Sequence, residues 1–80
     1  MFVSDILSQK GGLVFTVSPA TTVAQIAQQL SVRRIGAVLV MAGADVVAGI
    51  VSERDLVRAF AQHGPAALAF EAREVMTREV

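Results

Sequence analysis

The sequence predicts an α+β domain: a small three-stranded mixed sheet with helices packed on it, preceded by a short helical turn. Three observations carry the prediction. Val23, Ile26, Ala27 and Leu30 repeat at i, i+3, i+4, i+7, the stripe of an amphipathic helix. Ala37 to Met41 and Val46 to Val51 are apolar, β-prone runs parted by Ala42-Gly43-Ala44-Asp45, which reads as a turn. The second run stops at Ser52, an acid follows three residues later, and a helical pattern begins.

Taken in order, Val3 to Leu7 is predicted as one helical turn capped by Ser4 and ended by Gly11-Gly12. Leu13 to Val17 is a short strand, stopped at Ser18-Pro19 because proline pushes its predecessor toward extended geometry. Thr22 with Gln25 fits a capping box, and the helix it opens gives out between Ser31 and Arg34. The two apolar runs lack polar alternation, as expected of strands covered on both faces, and their four-residue link makes them an antiparallel hairpin. A second helix runs from Glu53 to Gln62, with Leu56, Val57 and Phe60 inward and Arg54, Arg58 and Gln62 outward. His63-Gly64-Pro65 stops it, and the alanine-rich stretch from Pro65 to Ala72 has room for another short turn. The β-α-β portion predicts parallel strands joined by a right-handed crossover.

Composition narrows the function. The chain has 80 residues, one small domain at most. A domain of this size buries roughly 60% of its unfolded surface. Yet 54% of the residues are apolar, above the usual ~45–50%. The excess points to a partner surface, most simply a second copy. There is no cysteine, hence no disulfide or thiolate metal site, which fits a cytoplasmic setting. The formal net charge is zero, against the basic excess of nucleic-acid binders. The apolar stretch from Ile35 to Val51 carries Asp45 and is too short for the ~20 residues of a membrane span. The amino terminus lacks the basic start and continuous apolar core of a signal peptide.

The chemistry concentrates at Gly49-Ile50-Val51-Ser52-Glu53-Arg54-Asp55-Leu56. Ser52 caps the new helix and Asp55 bonds back to the serine N–H. The same groups put a hydroxyl, a carboxylate, free N–H donors and the Arg54 guanidinium at one helix N-terminus, which is also how an anion is held. Arg33-Arg34 reads either as a phosphate-facing patch or as cations closing the first helix. No nucleophile stands beside a base. Ser52 and His63 are separated by about 16 Å along the second helix, so the domain reads as a non-enzyme.

Glu74-Val75-Met76-Thr77 echoes Asp5-Ile6-Leu7-Ser8 position by position, 69 residues later. Such an echo marks one full repeat plus the opening of another.

These segments, in this order, resemble a CBS domain, the nucleotide-sensing module named after cystathionine β-synthase. The residues that carry the resemblance are Asp5-Ile6-Leu7, the run Val14 to Val23, Arg34-Ile35-Gly36-Ala37-Val38-Leu39-Val40, the Gly49 to Leu56 motif, and Glu74-Val75-Met76-Thr77-Arg78. The resemblance implies a β-α-β-β-α repeat over residues 1–72, with 73–80 as linker and opening of a second, truncated repeat. It implies regulation without catalysis, in a cleft between paired repeats that takes AMP, ADP, ATP or another adenosyl compound, with no cofactor required. Asp55 would accept the ribose hydroxyls, Ser52 would meet ribose or phosphate, and Arg54 the phosphate. Thr16 and Ser18 would line the cleft and Val17 would touch the base. Ile35, Gly36 and Ala37 would flank the adenine. Because the chain supplies one repeat, the pair is expected to be a homodimer, with a fused or associated effector and neither nucleic acid nor membrane as partner. Asp55→Ala is expected to abolish most binding with little loss of fold. The alternative is an interaction domain that dimerises and binds no ligand.

Overall fold

A computed structural model describes residues 15–78. The expected opening turn at Val3 to Leu7, the first copy of the echo and the start of the first strand lie outside the described residues. Within them the order is β1 (Thr16–Val17), α1 (Val23–Arg33), β2 (Ala37–Met41), β3 (Val47–Ser52), α2 (Glu53–His63), a 3₁₀ helix (Gly64–Ala69) and α3 (Ala72–Val75). The strands form one mixed sheet in the order β1-β2-β3. β1 pairs parallel to β2, with Thr16 opposite Leu39, and β2 pairs antiparallel to β3, with Ala37 opposite Ser52. The α+β, three-stranded mixed-sheet prediction therefore describes this molecule.

Local chemistry explains each boundary. After β1, Thr21 donates its N–H to the Ser18 carbonyl at 3.1 Å, closing the turn that holds Pro19. α1 opens on a reciprocal box: Gln25 N–H to Thr22 Oγ1 at 3.2 Å, Thr22 N–H to Gln25 Oε1 at 3.0 Å. It ends at Arg34, whose φ of 54° is left-handed, with the Arg34 N–H bonded back to the last turn. Arg33 bonds Gln29 at 2.6 Å and stacks over the Phe15 ring at 4.1 Å. The hairpin link is closed by the Ala42 N–H donating to the Val46 carbonyl at 2.8 Å.

The core gathers Val23, Ile26 and Leu30 of α1, Val38 and Val40 of β2, Val51 of β3 and Leu56 of α2, with Ile35 and Ala72. The predicted α1 stripe is thus the buried one. Leu39 and Ile50, which alternate with these on the strands, are also buried. Coverage of both faces is reached at the centre of the hairpin only, because Val46 and Val47 are 58% and 37% exposed.

Three sequence expectations shift. β3 begins at Val47 and includes Ser52, which is both the last strand residue and the helix cap. α2 runs one residue further, to His63, whose ring meets Phe70 at 4.6 Å between centroids. On α2 the buried residues are Asp55, Leu56 and Ala59, while Val57 is 67% exposed and Phe60 38%. The helix is rotated from its apolar stripe because Asp55 is drawn inward by hydrogen bonds, as described below. Val57 and Phe60 instead border an open groove of about 290 Å³ between α1 and α2, lined also by Ala27, Leu30 and Leu56.

Candidate functional site

The hand-over from β3 to α2 is held by a second reciprocal box. Ser52 donates its N–H to Asp55 Oδ2 at 2.8 Å, and Asp55 donates its N–H to Ser52 Oγ at 3.3 Å. The Ser52 hydroxyl also donates to Asp55 Oδ2 at 3.1 Å. The hairpin return brings a second stretch alongside. Ala37 pairs with Ser52, and the Glu53 N–H donates to the Gly36 carbonyl at 3.0 Å. Gly36 therefore serves here through its carbonyl, and a Cβ added there would meet nothing within 4 Å.

Asp55 is 5% exposed and is the buried charged residue of the described core. Its second oxygen is engaged as well. Oδ1 accepts from the Thr77 hydroxyl at 3.1 Å and faces Arg58 Nη1 at 3.6 Å. Burying an ionised carboxylate is costly unless its lone pairs are satisfied; here three hydrogen-bond donors of the chain serve it and the Arg58 guanidinium stands beside it. Asp55 lines a cavity of about 180 Å³ with Arg58, Gln62, His63 and Glu74.

Thr77 reaches Asp55 because its main chain pairs with the outer edge of β3. The Thr77 N–H donates to the Ile50 carbonyl at 2.8 Å, and the Ile50 N–H to the Thr77 carbonyl at 2.9 Å. Gly49 makes the approach possible: a Cβ there would sit 2.7 Å from the Thr77 oxygen and 3.0 Å from Met76 Sδ. The 71–77 segment is anchored further by the Ala72 N–H to Thr21 carbonyl bond at 2.7 Å, and Phe70 just before it by the Val23 N–H to Phe70 carbonyl bond at 2.8 Å.

The residues singled out in the sequence fall into two groups. Ser52, Asp55, Gly36 and Ala37 come together at one end of the hairpin, with Arg54 exposed on the first turn of α2. Ile35 joins the hydrophobic core at 7% exposure and donates its N–H to the Leu30 carbonyl. Thr16, Val17 and Ser18 are elsewhere. Val17 lies across from Val40, three strand steps or about 10 Å from Ala37. These three line an open cavity of about 550 Å³ with Phe15, Gln25, Gln29 and Arg33, on the α1 side of β1.

Two polar neighbours of the site are not singled out by the sequence. Arg58 is exposed as expected, and it stands three residues after Asp55, a spacing that puts the two on one helix face. Thr77 sits 22 residues away, and its one signal in the sequence is the hydroxyl position of the echo. The buried Asp55 carboxylate also accepts hydrogen bonds from the Ser52 N–H, the Ser52 hydroxyl and the Thr77 hydroxyl, so Asp55→Ala is expected to disturb the fold as well as any binding. Among the described residues no group of His, Cys, Asp or Glu could hold a metal ion, and no helix is long and apolar enough to cross a membrane.

Comparison with known proteins agrees with this architecture. The search of curated proteins found no match. Among solved structures, a CBS-domain-containing protein of Agrobacterium tumefaciens is 42% identical, with a TM-score of 0.84 over 100% of this chain and 64% of its own. A putative signal-transduction protein with CBS domains from Burkholderia ambifaria is 32% identical, with a TM-score of 0.79 over 100% of this chain and 60% of its own. A CBS domain protein from Pyrobaculum aerophilum, solved in complex with AMP, is 25% identical, with a TM-score of 0.71 over 84% of this chain and 51% of its own. The chain thus spans less than two thirds of the length of each. Residues 3–62 match the CBS domain family, and the chain belongs to that family.

Proposed function

We propose that this chain is a regulatory module that binds an adenosine-containing nucleotide (AMP, ADP, ATP or another adenosyl compound) and performs no chemistry on it. The observation that carries the reading is the clustering of Ser52 and Asp55 beside Gly36 and Ala37 on the hairpin, in a fold that another CBS protein uses while holding AMP. Asp55 supplies acceptors for ribose hydroxyls, Ser52 a hydroxyl, and Arg54 and Arg58 positive charge for phosphate. Gly36 and Ala37 provide a wall of main-chain groups for the adenine edge.

Thr16, Val17 and Ser18 lie about 10 Å along the sheet, so in this reading they contact a different part of the ligand. Residues 1–72 act as one repeat and 73–80 as the opening of the next. The cleft is completed by a second repeat, most simply from a second copy of the chain, and a fused or associated effector in the cytoplasm reads the change in packing. Thermal melting against AMP, ADP and ATP tests this. A ligand at 100 times its dissociation constant adds about 2.7 kcal/mol, and unchanged melting with all three at millimolar concentration overturns it.

The second reading is an interaction domain without ligand. It is favoured by the apolar groove between α1 and α2, where Val57 and Phe60 stand exposed. A dimer by light scattering together with unresponsive melting selects it.

A further inference from the structure

We propose that Thr77 is a latch on the candidate nucleotide site: it occupies the Asp55 oxygen that a ribose diol needs, so that ligand binding and docking of the 71–77 segment oppose one another. The inference rests on the nucleotide reading for its ligand, but the latch itself stands on contacts within this chain.

An ionised carboxylate offers about four acceptor positions. At Asp55 the chain fills three with hydrogen bonds, two from Ser52 on Oδ2 and one from Thr77 on Oδ1, and the Arg58 guanidinium faces Oδ1 at 3.6 Å. A diol that places both hydroxyls on Asp55 must therefore displace one of these hydrogen bonds. The Ser52 contacts are part of the cap that starts α2, and losing them would unravel the helix entrance. The Arg58 contact is long, 3.6 Å, from a side chain 58% exposed, and yields readily. The remaining contact, Thr77 Oγ1 at 3.1 Å, decides whether Oδ1 is free.

Thr77 also makes both main-chain bonds to Ile50, so it fastens the 71–77 segment to the edge of β3 as well as to the carboxylate. Two attachments on one residue couple what they hold. A ligand that takes Oδ1 removes the side-chain attachment and leaves the segment held at β3 by the two bonds to Ile50. By linkage, whatever loosens the segment favours the ligand. The site would thereby report its occupancy to the chain that follows it, with no rearrangement of the core.

The test uses the 80-residue chain, AMP as probe, and Thr77→Val, which deletes the hydroxyl and keeps the β-branched shape and the main-chain pairing. In the ligand-free variant, hydrogen exchange is expected to accelerate at the Ile50 and Thr77 amides and not at Leu39 in the middle of the sheet. AMP is expected to bind the variant about tenfold more tightly, the gain of about 1.4 kcal/mol that one hydrogen bond to a charged group would otherwise oppose. AMP added to the unaltered chain should accelerate the same two amides, and Thr77→Ser should restore the original behaviour. Unchanged exchange in ligand-free Thr77→Val overturns the latch. AMP binding to the variant as weakly as, or more weakly than, to the unaltered chain also overturns it, since Thr77 would then support the ligand. If the amides accelerate but AMP binds neither protein, the nucleotide reading falls and the latch remains as a clamp on Asp55.

Discussion

The two long helices begin with the same device in different surroundings. At α1, Thr22 and Gln25 exchange hydrogen bonds at 3.0 and 3.2 Å, and Gln25 is exposed and uncharged. At α2, Ser52 and Asp55 exchange them at 2.8 and 3.3 Å, but Asp55 is buried and charged. The Gln25 amide has water for its remaining hydrogen-bonding capacity. The Asp55 carboxylate does not, so its second oxygen must be served by protein, and it collects Thr77 and Arg58. One box ends where it starts, and the other ties the end of β3, helix α2 and the 71–77 segment together. A capping motif becomes a candidate site when burial obliges it to recruit partners from elsewhere in the chain.

Breaking the buried box is expected to produce the largest effect. Asp55→Ala leaves the Ser52 N–H, the Ser52 hydroxyl and the Thr77 hydroxyl without their acceptor and Arg58 without its ion-pair partner, and should cost about 3 kcal/mol in chemical denaturation. A loss below 1 kcal/mol would place both boxes in one class and remove the contrast. Gly49→Ala comes next. Its methyl would meet the Thr77 oxygen at 2.7 Å and Met76 at 3.0 Å, lifting the segment from β3 at about 1–3 kcal/mol. Exchange at the Thr77 amide should rise with it, and an unaffected amide would show that the segment holds without this close approach. Gln25→Ala sharpens the contrast from the other side. It removes one exposed bond and should cost about 0.5 kcal/mol, read from the same denaturation curves.

Much of the fold was legible because its signals are local. The α1 stripe needs only the 3.6-residue period, and Val23, Ile26 and Leu30 are indeed its buried residues. The hairpin needs two β-prone runs and a short turn, and the register puts Ala37 opposite Ser52 as that geometry requires. Each capping box spans four residues and is readable for the same reason. Of the residues that the sequence singles out, Ser52, Asp55, Gly36 and Ala37 come together because β2 and β3 are neighbours in sequence, while Thr16, Val17 and Ser18 lie on β1 and just after it. The Ile35 side chain is in the core with Leu30 and Val38, since an aliphatic group at the strand entrance gains more by packing than by facing solvent.

By itself, then, the sequence determined the order of the strands and the two long helices, which face of α1 is apolar, and that a hydroxyl and a carboxylate share the start of α2. Those outcomes depend on steric preference and on bonds between residues three or four apart, which any short window contains. Only the tertiary structure decided that Asp55 is buried, that α2 turns Val57 outward, and that Thr77 completes the carboxylate from 22 residues away. These depend on which surfaces exclude water, and that is a property of the packed chain.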